Sequence, residues 1–484
     1  MILLQNHQQL SNGNRMGVDR SMSEDKYDVI IVGTGPTGIF TVLELLESNA
    51  DLDILMLEKG KDINDRECPM KQNPGQGCMN CESCSVVSGW GGAGAYSDGK
   101  LSLSPKIGGH LEEYIGLNSL KSLISYADKI YLKFGAPDRV FGGDKSKIED
   151  IKAKAIKAQL KFIPAKLRHL GTGYTRTVLT NMKEYIESKG VEIKFRVNVK
   201  EFIIKDEKIK GVITSDGQKY KGKYIVTAPG RENADWLSSL APKLGINTSI
   251  NPIDIGIRVE TSAVIAEQLT ENFYESKLIY QTPTFDDKVR TFCMSPYGEV
   301  VNENNQGLIT VNGHSHSDIK TENTNFALLV SKTFTEPFHE PITYGKNIAK
   351  LANLLGGGVL IQRLGDLLEG HRSTPERINR GIIEPTLKEA TPGDLSLVFP
   401  YRHLKGLIEM LEALDNLAPG LYSRDTLLYG VEVKFYSNRI DVNNNLETKI
   451  NNLYTAGDGA GITRGLMQAS VSGIVIARNI LDKE

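Results

Sequence analysis

The sequence predicts an α/β chain. A parallel sheet flanked by helices is assembled from segments far apart in the chain, and a mixed-sheet domain is inserted between them. Three observations lead there. An apolar strand near the N-terminus runs into a Gly-x-Gly-x-x-Gly turn and an amphipathic helix. A second strand–turn–helix unit follows Leu453 and closes the chain. Between them, the stretch from Phe195 to Gly230 reads as three strands joined by polar turns.

At the front, Tyr27 to Val32 (YDVIIV) is a short apolar run fit for a buried parallel strand. GTGPTG follows, with Gly33, Gly35, Pro36 and Gly38 in the turn, and Ile39, Val42, Leu43, Leu45 and Leu46 then share one helical face. A second strand, LDILMLE, ends at Glu58. Gly33 permits the turn out of the strand, Gly35 lets backbone approach a pyrophosphate, and Gly38 lets the helix pack closely on the strand. Free N–H groups at the helix start favour phosphate. Glu58 is placed to accept ribose hydroxyls and disfavours a 2′-phosphate, so this Rossmann-like site suits FAD or NAD.

At the back, Leu453 to Ala456 reads as a strand, followed by Gly457-Asp458, a glycine-rich turn and a helix from about Gly465. This resembles the closing segment of the FAD flavoprotein superfamily that includes glutathione-reductase-like enzymes. The resemblance implies that Asp458 binds the ribityl chain and that the Gly465–Leu466–Met467 turn faces the flavin. N–H groups at that helix start would stabilise charge on a reduced flavin. The three-stranded stretch matches the superfamily's meander, which implies Val199 as a backbone contact to adenine, with Ala228 and Gly230 on the pyrophosphate side. Three ordered matches favour FAD over NAD.

SGWGGAGAYSDGKLS (Ser88 to Ser102), RTFCMSPYGEVV at Arg290, YGVEVKFYS at Tyr429 and GDGAGITRGLMQAS at Gly457 are similar to the family of uncharacterised FAD-dependent dehydrogenases. That resemblance implies flavin redox chemistry without fixing a substrate. The loop holding Gly92, Ser97, Asp98 and Gly99 has a backbone able to wrap a cofactor. Lys100 either places positive charge near the flavin or is a solvent lysine after a glycine turn.

Cys68, Cys78, Cys81 and Cys84 form a Cys-x9-Cys-x2-Cys-x2-Cys cluster. Four thiolates suit zinc or an iron–sulfur cluster. A redox dithiol and four unligated thiols are the alternatives. In the middle region, candidate active-site groups are Arg290, Cys293, His314, His316, Arg402 and His403. His314 and His316 serve as acid/base groups or ligands, or are ordinary loop histidines. Cys293 reads as a small buried hydrophobe. Arg464, in the turn near the flavin, is the best cation for a carboxylate substrate.

The chain has 484 residues, with 40% hydrophobic and 24% charged, enough for two or three domains. A net charge of −2 gives no global field for nucleic acid or acidic membrane. The basic run from Lys145 to Arg168 reads as a solvated amphipathic helix. No run reaches the roughly 20 apolar residues of a membrane span, and the MILL start is too short for a signal-peptide core. A cytoplasmic protein is expected, with residues 1–25 as a disordered leader and Met16 or Met22 as possible starts. The remaining bounds expected are 26–105, 166–233 and 446–484 for the FAD-binding domain, with a Cys-rich loop at 66–88. A helical insertion is expected at 106–165 and a substrate or cap domain at 234–445. There is no second strand–Gly-x-Gly-x-x-Gly–helix unit, so NAD(P)H, if used, binds transiently in the substrate cleft. The function expected is an FAD-dependent dehydrogenase or reductase acting on a small molecule. The alternatives are a flavin monooxygenase and a flavoprotein that acts on RNA or uses FAD structurally. The closing segment lacks the Gly-Asp-Ala-Ala-His and proline of many monooxygenases.

Overall fold

Val29, Ile30 and Ile31 are fully buried because their strand, Lys26–Val32, lies inside a seven-stranded sheet. The computed structural model describes residues 26–48, 50–69, 79, 81–97, 99–305, 307–315, 320–334, 337, 338 and 340–484. The expected leader lies outside them. The first strand pairs in parallel with Ile54–Glu58 on one side and Lys219–Thr227 on the other. Glu192–Phe195 extends the sheet in parallel beyond Glu58, and Leu453–Thr455 joins Lys219–Thr227 in parallel. The chain's two ends therefore share one sheet. Val199–Lys205 and Lys208–Thr214 complete the meander, with Asp206 and Glu207 at positive φ in the expected turn.

The helices Pro36–Glu47, Leu117–Lys133, Gly171–Ser188 and Leu466–Lys483 pack into the same apolar core. The first and last touch backbone to backbone: a Cβ on Gly473 would stand 2.3 Å from the Thr37 carbonyl oxygen. Thr37 Oγ1 also donates to the Ala469 carbonyl at 3.0 Å.

A second sheet has eight strands, in the order Thr391–Pro392, Leu360–Arg363, Leu427–Lys434, Ile253–Ser262, Asn323–Lys332, Lys288–Ser295, Lys277–Gln281, Lys161–Ile163. Helix Tyr401–Asp415 covers it with Leu407, Met410, Leu411 and Leu414, spaced along one face and fully buried. Each such side chain contributes about 1.5–3 kcal/mol through burial. The chain enters and leaves this half side by side, where Thr248–Ser249 pairs antiparallel with Arg439–Ile440.

Two expectations change. Residues 106–165 are not one helical insertion. Leu117–Lys133 belongs to the first core, whereas Lys145–Lys157 and Lys161–Ile163 pack with the second sheet. The basic run is helical only to Lys157, and strands Lys161–Ile163 and Leu167–His169 follow. The stretch from Phe292 to Val301 is shared between two strands. A turn with Gly298 N–H donating to the Ser295 carbonyl at 3.2 Å divides Lys288–Ser295 from Glu299–Asn305. The latter forms a separate hairpin with Leu308–His314.

Candidate functional site

One cleft of about 2460 Å³ takes its walls from both halves of the chain. Gly33, Gly35, Pro36 and Glu58 line it, and so do Gly92, Ser97, Lys100, Val199, Ala228 and Gly230. Gly457, Asp458, Arg464, Gly465, Leu466 and Met467 line it from the far end of the sequence. The starts of the first and last helices therefore open into a common space. Neither N-cap residue, Gly35 or Gly465, supplies a capping side chain, so first-turn N–H groups are left for a ligand.

The glycines fit an elongated ligand. Gly33 has φ +101°, and a Cβ there would lie 2.2 Å from the Ala228 carbonyl oxygen. A Cβ on Gly38 would meet the Gly33 oxygen at 2.1 Å, so only glycine allows helix and strand this close. At Gly35 and Gly230, by contrast, a Cβ would meet no protein atom within 4 Å. Both positions open onto the cleft, so substituents there would fill a cradle instead of colliding with the fold. The residues present thus suit a dinucleotide. Gly99 turns away from the cleft, toward Thr175 and Leu170.

Glu58 has a second task. Its carboxylate accepts from Thr34 N–H at 2.9 Å, Thr34 Oγ1 at 2.8 Å, Gly60 N–H at 2.8 Å and Gly89 N–H at 3.0 Å. These donors occupy the carboxylate's four acceptor directions. A ribose hydroxyl would have to displace or share with the Thr34 hydroxyl. Glu58 ties the Gly33 turn to the glycine-rich loop.

That loop is also stapled by Arg66. The buried guanidinium donates to the carbonyls of Ser85 (2.9 Å), Val86 (2.9 Å), Trp90 (2.6 Å) and Gly92 (2.8 Å). Burial lowers its pKa to about 10. Arg66 thus crosslinks the loop through backbone carbonyls. Among the described residues no group of three or more His, Cys, Asp and Glu side chains is arranged to hold a metal ion. Cys68, Cys81 and Cys84 are free thiols, and Cys78 lies outside the described residues. Zinc or an iron–sulfur cluster is not supported.

The inserted half contributes a charged wall. Arg290 bonds to Asp254 and to the Tyr436 hydroxyl at 3.1 Å. Burial opposes the charge of Arg290, but Asp254 beside it raises its pKa above the usual value. Burial likewise opposes ionisation of Asp254, yet Arg290, Ser331 and Tyr436 hold its pKa down. The Arg464 guanidinium carbon stands 3.8 Å from the Tyr436 ring centroid. Lys100 reaches across to this half, donating to the Met294 carbonyl at 2.7 Å. Its ammonium is 3.6 Å from Cys293 Sγ. Cys293 is therefore not a buried apolar group. It lies half-buried in the cleft wall at φ 44°, next to a cation. His314 lines the cleft at the end of the hairpin, whereas His316 and Asp98 lie outside the described residues.

Sequence reasoning missed His110, Asp254, Lys277 and Tyr436, all of which line the cleft. His110 Nδ1 is 2.9 Å from Glu113 Oε1. It reaches the turn that precedes the closing helix because Gly109 bridges to Thr463. No local motif signals that pairing.

Arg402 and His403 do not line the cleft. Arg402 pairs with Asp287 on the surface of the second sheet. His403 is 3% exposed, and neither ring nitrogen has a partner among the described residues. Burial, reinforced by nearby Lys332, lowers its pKa to about 4. The folded state thus keeps His403 neutral while the unfolded state protonates it from about pH 6.5 downward. This contribution to stability is complete above pH 6.5 and is lost as the pH falls toward about 4. In urea unfolding across that window, the wild type is expected to lose on the order of 3 kcal/mol more than His403→Leu. Equal slopes for the two proteins would show that His403 is not neutral in the fold.

Residues 252–435 match the family described as "FAD-dependent protein, C-terminal domain-like". The chain is 28% identical to an uncharacterized protein of Clostridium beijerinckii, over 95% of this chain and 82% of that one. It is 26% identical to the tRNA uridine 5-carboxymethylaminomethyl modification enzyme MnmG of Buchnera aphidicola, over 62% of this chain and 45% of that one. Among solved structures it is similar to L-proline dehydrogenase from P. horikoshii, with a TM-score of 0.39 and 13% identity over 95% of each chain. It is also similar to glycine oxidase from Bacillus cereus, with a TM-score of 0.35 and 15% identity over 95% and 96%. Structural likeness at these scores carries no functional argument. The family whose model matches is one of FAD-dependent proteins, and the cradle fits a dinucleotide. No helix among the described residues is long and apolar enough to cross a membrane.

Proposed function

We propose that this chain moves electrons between a small carboxylate substrate and FAD held in the shared cleft. The single observation that carries this reading is the continuity of that cleft, from the Gly33 turn to Asp458 and on to Arg464. In this reading Gly33, Gly35, Pro36, Gly92 and Gly230 hold the pyrophosphate, with help from the first helix start. Val199 and Ala228 contact the adenosine side, and Glu58 shares a ribose hydroxyl with Thr34. Asp458, whose Oδ1 accepts from Thr463 Oγ1 at 2.7 Å, takes the ribityl chain. The start of the closing helix, Gly465 to Met467, faces the flavin.

Bound there, FAD supplies a two-electron carrier, and the protein supplies position and electrostatics. Arg464 has no carboxylate within ion-pair distance among the described residues. It stands one residue before the helix start, so a carboxylate held on it is oriented beside the flavin end. Lys100, Arg290 and His314 set the charge of the facing wall.

Anaerobic mixing with small carboxylates, amino acids, NADH and NADPH tests this. At least one carboxylate donor or acceptor is expected to change the visible flavin spectrum through full reduction or reoxidation. A bound flavin that responds to dithionite but to no carboxylate, NADH or NADPH would contradict the reading.

A further inference from the structure

Two cations in the substrate half of the cleft lack a full counter-charge. Arg290, whose charge lowers the pKa of each, is itself locked onto Asp254. The first cation is Arg464. Its Nη2 reaches Asn251 Oδ1 at 3.3 Å, and its Nε is buried without a hydrogen-bond partner among the described residues. The second is Lys277. Its side chain is 18% exposed, and its Nζ stands 5.4 Å from the Phe292 ring centroid. Its ionic neighbour Glu275 is 3.8 Å away, too far for a hydrogen bond, and also stands 3.5 Å from Lys100. No hydrogen bond reaches the Lys277 ammonium among the described residues. Burial lowers its pKa, and Glu275 only partly offsets this.

A desolvated cation without a matched carboxylate is costly, and a ligand carboxylate at each site relieves that cost. The planar fork of Arg464 suits a carboxylate in two-point contact, whereas Lys277 offers a point charge. Both residues line one cleft and both stand within electrostatic range of Arg290, so a molecule with two acidic ends can engage them together, the second contact forming at high effective concentration.

We propose that the substrate is a dicarboxylate, one carboxylate on the Arg464 guanidinium and the other on the Lys277 ammonium. This rests on the reading of the cleft as the substrate site beside FAD.

The test uses the full-length holoprotein, titrated with the diacids malonate, succinate, glutarate and adipate and with the matching monoacids acetate to hexanoate. Binding is read from the visible flavin spectrum and from the thermal midpoint. One diacid is expected to bind at least about 10-fold more tightly than its monoacid, one ion contact being worth a factor of this order. Lys277→Met is expected to erase that preference and leave monoacid binding unchanged, whereas Arg464→Met weakens both ligands. Lys277→Gln serves as the second variant should the Met form lose its flavin. No diacid preference in the wild type overturns the proposal, as does an equal loss for both ligands in the Lys277 variant. A preparation without FAD would refute the underlying reading instead, and the flavin content is recorded first for that reason.

Discussion

Gly35→Val is expected to purify as a folded but colourless protein. Gly35 has φ −74° and ψ −176°, which valine adopts without strain, and no protein atom lies within 4 Å of the new Cβ. The fold therefore loses only the difference in N-cap preference, about 1 kcal/mol. The valine instead projects into the space where the pyrophosphate of FAD would approach. A steric loss of about 3 kcal/mol there corresponds to roughly 100-fold weaker binding. Far-ultraviolet circular dichroism is expected to match that of the wild type while the dissociation constant for added FAD rises by that factor. Flavin retained at wild-type levels would remove Gly35 from the cofactor site.

Arg258→Met is expected to cost about 3 kcal/mol of stability, because it removes one of the two cations, Arg258 and Lys434, that pair with buried Glu432 and leaves buried acceptors without a donor. Arg258 and Glu432 are both fully buried, on neighbouring strands of the second sheet, with Nη1 3.2 Å from Oε2. The guanidinium also donates to Asn325 Oδ1 at 2.8 Å, the Cys293 carbonyl at 2.7 Å and Ser295 Oγ at 3.2 Å. These bonds hold the strand that carries Cys293 into the cleft wall. Urea unfolding followed by tryptophan fluorescence gives the loss. A loss below about 1 kcal/mol for the single variant would mean that the pair is not buried in solution.

The nucleotide half was legible because its signals are local. A four-residue apolar run from Val29 to Val32, three spaced glycines and an acid at Glu58 sit within one strand–helix–strand unit. The closing unit at Gly457 reads the same way. The inserted half was harder to read for a physical reason. In Ile253–Glu260 the apolar residues alternate with Asp254, Gly256, Arg258 and Glu260, a pattern that normally separates core from solvent. Here both faces are buried, and the polar one makes ion pairs in the interior. Lys277 escaped notice because its role depends on register. Ile279 pairs with Arg290, which sets Lys277 across from Phe292. Cys293 was misjudged because the ammonium beside it comes from Lys100, far back in the sequence. The cysteine spacing suggested a metal, but the staple came from Arg66, which no spacing rule singles out.

In the proposed function, residues from opposite ends of the chain close around one FAD. The most direct measurement is to denature the wild-type protein, separate what it releases and quantify it against the chain. One molecule of FAD per chain is the predicted result. Release of no flavin, or of FMN or NAD in its place, would contradict the central claim.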